Sequence, residues 1–372
     1  MIYYLGFYNS IDSGEKTVNT SFAGVFKMGY IVRKLKEVGK PFKVVSCATR
    51  EPFGVSKQSA IKKDGYEEIF LKSYRFKGFM RKVGIVLNNM QVNKFLKSVK
   101  REDTLIVYHA PTLCESVYKA KKKIGFNLVL EIEEVYSVDQ KMVNAEKIKT
   151  KEEKLFSIAD SYILVNDLIY EKYTDGKKPY TVVYGAYDGV PACSQEKGDG
   201  KHILFSGSLD KVRGAELAVE TAEHLPKGYV LHLTGRGEEG FVNTLKQKIE
   251  SVNKNEDYAD VIYHGALSDE DLDKLAYTCD IGLNLQDTNN TFEAVSFPSK
   301  ITFYMLHGLT VVSTKMSSVL ASKLNDSISF CDLNANAVAK AIQEVQIKDK
   351  QENYMSITNL DKKVVSDLAT IL

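Results

Sequence analysis

What most narrows the folds open to this chain is an alternation of short apolar runs with helical periods, played through twice. In the first half IYYLGFY, FKVVSCA, DTLIVYHA and NLVLEIEEVYS have the pattern of buried strands, and Phe22, Val25, Phe26, Tyr30, Ile31 and Leu35 recur at helical spacing between two of them. YTVVYGAYDG closes that half. The pattern then restarts, with HILFSGSL, YVLHLTGRGEE, DVIYHGAL, IGLNLQD and TVVST as strands and VRGAELAVETAEHL and SDEDLDKLAYTCD as helices. Strand–helix–strand order calls for parallel sheets covered by helices, so the fold class expected is α/β, doubly wound in each half. A length of 372 residues also exceeds one ordinary core. Val190–Lys201 is rich in Pro, Gly, Gln, Lys and Asp and reads as the boundary. The division expected is a first domain over 1–189, a linker over 190–201, a second domain over 202–345, and a helical tail over 346–372 that could cross back to the first.

Composition excludes several classes. Apolar content of 44% and charged content of 26% are globular values, and a net charge of +2 gives no reason to expect nucleic acid. The five cysteines are scattered, with no CxxC, which argues for reduced thiols in a cytoplasmic protein and against a disulfide framework or zinc. MIYYLGFYNS lacks a basic leader and reads as a first strand. No run of ~18 apolar residues offers a membrane span.

Four places could carry chemistry. Thr291–Gly308, TFEAVSFPSKITFYMLHG, sets Pro298, Ser299 and Lys300 at the start of an apolar helical run. Unpaired first-turn N–H groups, the helix dipole and the Lys300 charge suit an anion there; an ordinary buried helix with Pro near its start explains the pattern as well. His109 and the cluster Glu131, Glu133 and Glu134 end strands, where ligands of parallel sheets bind, though a satisfied structural histidine and solvated acids are the plainer explanation. Lys72–Arg101 holds nine Lys/Arg and no acid, with Phe79, Val83, Val86, Met90, Phe95 and Val99 at helical steps. It reads as a basic amphipathic helix or helix pair, facing either the core or an anionic membrane surface. Asp269–Asp271 resembles DxD, but acids following Ser268 are explained by helix capping, so no metal is expected.

With these motifs in order, the second half resembles the nucleotide-sugar-binding half of family-4-like glycosyltransferases of the GT-B fold. The residues that carry the resemblance are FSGSLDKVRG (205–214), LTGRGEE (233–239), YHGALSDEDLDKLAYTCDIGLNL (263–285) and FPSKITFYMLHGLTVVST (297–314). Within that family the chain is most similar to bacterial capsule and exopolysaccharide transferases. The resemblance implies two Rossmann-like domains facing across a cleft, the donor on the second and the acceptor on the first. It implies phosphate contacts from Gly14, Gly207, Ser208, Arg213, Pro298, Ser299 and Lys300. It places the nucleotide beside Gly235, Arg236, Gly237, His264, Gly265 and Leu267. His109, Glu134 and Glu293 are the catalytic candidates. One departure stands out: where the family has two glutamates eight apart, this chain has Val295 and Phe303, with Glu293 near the first.

The function expected is transfer of a sugar from a nucleotide sugar, UDP-linked first, to a glycan or lipid-linked acceptor in cell-surface polysaccharide synthesis. Retention of configuration, no cofactor and no metal are expected, in a cytoplasmic protein that could sit at the membrane's inner face. The rivals are a catalytically silent scaffold of the same fold, motivated by Phe303, and a UDP-sugar epimerase.

Overall fold

The computed structural model describes residues 1–138, 144–187, 199–288 and 291–372. The expected linker, 190–201, lies outside the described residues except for its last three. Two compact units divide the chain: Met1–Ala186 with Lys362–Leu372, and Tyr187–Asp361.

The first unit is built on an eight-stranded sheet. In chain order its elements are β1 (Ile2–Gly6), α1 (Phe22–Val38), β2 (Phe42–Ser46), β3 (Gly54–Ser56), β4 (Ser59–Lys63), β5 (Tyr66–Phe70), β6 (Ser73–Arg75), α2 (Met80–Leu96), β7 (Thr104–Tyr108), α3 (Pro111–Ile124), β8 (Asn127–Ile132), α4 (Ala145–Ile158), β9 (Ser161–Leu164), α5 (Asp167–Tyr173) and β10 (Tyr180–Val182). The sheet order is β10-β9-β8-β7-β1-β2-β5-β4. All pairs are parallel except β4 with β5. That exception is a hairpin turned at Asp64–Gly65, a dipeptide that suits a two-residue turn because Gly65 has φ of +83°. Central strands are buried on both faces, which is why they read as continuous apolar runs.

The second unit carries β11 (His202–Leu209), α6 (Ala215–Ala222), β12 (Val230–Gly237), α7 (Glu239–Val252), β13 (Asp260–Gly265), α8 (Asp269–Thr278), β14 (Ile281–Asn284), α9 (Ser299–Leu306), β15 (Thr310–Thr314), α10 (Ser317–Leu320), β16 (Ile328–Cys331), α11 (Ala335–Glu344) and the first half of α12 (Lys350–Ile371). Its six strands run β13-β12-β11-β14-β15-β16, all parallel. On one face Ile203, Phe205, Leu231, Leu233 and Val261 make a core with Ala218, Leu245 and Val338 from α6, α7 and α11.

The strand read over YVLHLTGRGEE runs through its glycines and does not end in a glycine loop: β12 continues through Gly237, in register with β11 to Leu209. Glycine reads as a breaker in sequence, but here the parallel neighbour supplies the ladder. Lys72–Arg101 is not a helix pair; it is the short strand β6, which pairs with β3 as a two-stranded ribbon, and then one helix. On that helix the line expected to face either core or membrane does not face the core from Phe79 to Met90, while Gly84, Val92 and Leu96 do.

Candidate functional site

The carboxyl ends of β11, β12 and β14 meet the start of α9, and the residues there are held by backbone close packing. Gly207 pairs with Gly235 and Ser208 with Arg236. A Cβ on Gly235, whose φ is +149°, would lie 1.7 Å from the Gly207 carbonyl oxygen. Only glycine fits there. Gly214 starts α6 with φ of +83°, and a Cβ on it would lie 2.1 Å from the Leu285 carbonyl oxygen. Gly207 and Ser208 are exposed at the end of β11, and neither carries a side chain larger than a hydroxymethyl.

Into this end reaches Lys300, from the first turn of α9. Pro298 precedes the helix in extended conformation, as its fixed φ favours. The Lys300 Nζ sits 4.1 Å from the Phe205 ring centroid, and 3.9 Å from where a Cβ on Gly207 would be. The residue as a whole is half-buried, yet its Nζ is enclosed and has no hydrogen-bond partner. Burial, followed by the charge of Arg213, pushes this ammonium down to about 7, against a partial restoring effect of Asp210. Arg213 is exposed, and its Nε stands 3.6 Å from Asp210. Two basic side chains therefore converge on the strand end with Asp210 as the carboxylate beside Arg213, and the Lys300 Nζ itself has no hydrogen-bond partner, a setting that suits an anion with several oxygens.

Sequence reasoning missed the residue that fixes this spacing. Tyr304, in α9, lies against Gly282 of β14, and its hydroxyl accepts from the Ser206 N–H at 2.9 Å. It also approaches the Leu283 carbonyl oxygen at 3.3 Å. One buried phenol thus ties α9 to β11 and β14, and burial pushes it up to about 12. Its signal in sequence, a tyrosine within an apolar helical run, is indistinguishable from core packing.

Other candidates fall elsewhere. The Glu293 carboxylate accepts from the backbone N–H of Ser317 at 2.7 Å and from its hydroxyl, so it closes the start of α10. Phe303 packs on His307, ring centroids 4.3 Å apart, and His307 bonds Asp273 of α8 at 2.8 Å. The acidic position of the resembled family is thus occupied by packing between α8 and α9. His264 ends a hydrogen-bonded row: His202 Nδ1 to His232 Nε2 at 3.1 Å, and His232 Nδ1 to His264 Nε2 at 3.0 Å. Gly265 accepts from Thr234 Oγ1 at 2.7 Å, and Leu267 is half-buried after it. Arg236 and Ser299 are exposed. Ser268 caps α8 by accepting from the Asp271 N–H, the role expected of that acidic stretch.

In the first unit His109 is enclosed. Its Nδ1 lies 3.2 Å from the Glu134 carbonyl oxygen, its ring packs on Tyr136 and Phe156, and burial pushes it down to about 4, a neutral imidazole. Glu134 is partly exposed, and Gly14 ends a short 3-10 turn in left-handed conformation. A buried acid pair was partly legible: Tyr4 donates to Glu131, and Lys27 pairs with Glu133 at 3.1 Å. Burial and then the Glu133 charge push Glu131 up to about 8, against the charge of Lys27. Between α2, α3 and α4 runs a groove of mixed lining, with Asn89, Asn93, Thr112 and Ser116 beside the apolar Pro111 and Ile148.

Comparison with known proteins follows this geometry. Residues 200–346 match the family model described as glycosyl transferases group 1. No curated protein matches the chain. Among solved structures, sucrose-phosphate synthase from Thermosynechococcus elongatus is similar at a TM-score of 0.68 and 11% identity, covering 99% of this chain and 97% of that one. The trehalose-6-phosphate structure from E. coli bound with UDP-2-fluoro glucose is similar at 0.65 and 11%, covering 100% and 99%. Anabaena HepE in complex with UDP is similar at 0.61 and 12%, covering 99% and 99%. With two units each built on a largely parallel sheet and likeness along the whole length, the chain has the GT-B fold, and its second unit is similar to group 1 glycosyl transferases.

Proposed function

We propose that the protein is a glycosyltransferase that takes a sugar from a nucleotide-sugar donor, a UDP-sugar first among them. Its acceptor is a glycan or lipid-linked sugar in cell-surface polysaccharide synthesis, and the anomeric configuration is retained. The observation that carries the reading is the enclosed, partnerless Lys300 ammonium facing Gly207 with Arg213 beside it. Two of the similar structures hold UDP or a UDP-sugar, which supports the choice of nucleotide.

The donor diphosphate lies over Gly207 and Ser208. As the bond from the anomeric carbon to the diphosphate oxygen breaks, the electron pair moves onto that oxygen, and Lys300 and Arg213 neutralise it. The sugar gains oxocarbenium character, the acceptor oxygen bonds the anomeric carbon, and its proton passes to the departing phosphate. These two cations do the work a divalent metal does elsewhere. The groove of Asn89, Asn93, Thr112 and Ser116 suits a polyhydroxylated acceptor, because these residues offer hydrogen bonds while Pro111 and Ile148 supply apolar wall for the sugar's C–H faces.

A melting-temperature panel over UDP, GDP, TDP and their sugars tests the reading, with UDP release from the responding sugar as the second readout. UDP is expected to raise the melting temperature. Lys300→Ala is expected to weaken it by about 2 kcal/mol, roughly thirtyfold, through the lost charged contact. A chain that no nucleoside diphosphate stabilises, and that neither hydrolyses nor transfers any nucleotide sugar, would not be this enzyme.

A further inference from the structure

The helix α2 turns the wrong side to solvent. Phe79, Val83, Val86 and Met90 follow one another at steps of four, three and four residues, so they form one line along the helix. They are 86%, 41%, 58% and 56% exposed. Gly84, Val92 and Leu96, on the opposite side, are buried. An ordinary surface helix has the reverse arrangement, with its apolar line inward. The ribbon of β6 and β3 holds the helix from its other side: Asn88 clamps β6 by accepting from the Tyr74 N–H at 2.8 Å and donating to its carbonyl at 3.1 Å, and a Cβ on Gly84 would lie 3.1 Å from that carbonyl oxygen. The apolar line is thus turned away from the element that packs on α2.

Charge decides the occupant. Lys72–Arg101 contains nine Lys/Arg and no acid. Lys82, Lys94 and Lys97 are exposed beside or beyond the apolar line. A second copy of the chain would bring the same cations face to face, which like charges oppose. A nucleic acid would meet the cations and leave Phe79, Val86 and Met90 in water. A surface that is anionic above and apolar beneath satisfies both, with lysine stems lying along the apolar layer and their ammonium groups at the headgroups. We propose that the α2 face of Phe79, Val83, Val86 and Met90 docks in the plane of an anionic lipid bilayer.

This inference stands apart from the transferase reading, and sedimentation with vesicles tests it. The full chain is expected to pellet with vesicles of phosphatidylcholine and phosphatidylglycerol and to stay in solution with phosphatidylcholine alone. The double variant Val86→Glu, Met90→Glu changes only exposed side chains. It is expected to keep its melting temperature and its response to UDP while losing the vesicles. Lys82→Glu and Lys97→Glu are each expected to weaken partitioning about fivefold or more, the equivalent of about 1 kcal/mol per cation removed. Three results would each overturn the proposal: no pelleting of the natural chain, equal pelleting of the double variant, or a dimer in sedimentation velocity that the double variant abolishes. A missing UDP response in the natural chain would strike the transferase reading and leave the bilayer result to stand or fall by itself.

Discussion

Lys300 is a poor residue for stability in the place it occupies, and that is the argument for its use. Its folded value of about 7 lies well below the ordinary 10.5, so between those limits the unfolded chain binds more protons than the folded one. The destabilisation is therefore full below pH 7 and is relieved as pH rises toward 10.5. Lys300→Met is expected to raise the melting temperature of the nucleotide-free protein at pH 7 while abolishing its response to UDP, because the thioether fills the same space without a buried charge. An arriving diphosphate raises the lysine again, so UDP affinity is expected to fall as pH climbs above about 7, with proton uptake visible as a buffer-dependent enthalpy in titration calorimetry. The position of Lys300 was legible because Pro, Ser and Lys at a helix start have local physical meaning. The setting of Glu293 was not: its partner Ser317 lies 24 residues on, and nothing local announces it.

Elements were read well where the period was long and poorly where pairing was decided by a neighbour. Strands β1, β2, β7 and β8 of the first sheet and β11 to β15 of the second were legible as apolar runs between helical periods, whereas β4, β5 and β16 were not read. The ribbon of β3 and β6 was not, because three-residue strands carry no period, and the end of β12 was lost to its glycines. For α2 the spacing was right and the facing was undetermined, since a period says which residues share a side and never which side is wet. The α9 helix depends on one phenol. Tyr304→Phe keeps the ring against Gly282 but leaves the Ser206 N–H without its acceptor, and is expected to cost about 1–2 kcal/mol in urea unfolding. Turnover is expected to fall more than the donor KM rises, because Lys300 loses its set distance from Gly207. Across β11, β12 and β13, burial first and then the His264 and His202 charges hold His232 down to about 4. Its contribution to stability is complete above the unfolded value near 6.5 and declines as pH falls toward 4. His232→Gln is expected to flatten that acid limb in urea midpoints measured between neutrality and about pH 4.5.

At the scale of the molecule, the first unit is not one continuous stretch: the second unit, Tyr187–Asp361, is inserted between its two parts. The start of α12 belongs to the second unit, where Lys350 donates to the Tyr277 carbonyl at 2.7 Å and Asn353 to that of Gly308 at 3.2 Å. Its end belongs to the first, where Thr181 bonds Asp367 at 3.0 Å, Ser161 donates to the Ile371 carbonyl at 3.3 Å, and Val364, Leu368 and Ile371 are buried. Deleting residues 362–372 is expected to destabilise the first unit by about 5 kcal/mol, from three apolar side chains returned to water, and to lower its melting transition while the second unit's transition stays nearer its place. During synthesis the consequence is one of timing. The eight-stranded sheet leaves the ribosome early, yet the strip of apolar surface that receives Val364, Leu368 and Ile371 has to wait until the whole second unit has been made. For that interval the nascent first unit carries an open seam, and its last step of folding cannot precede translation of codon 362.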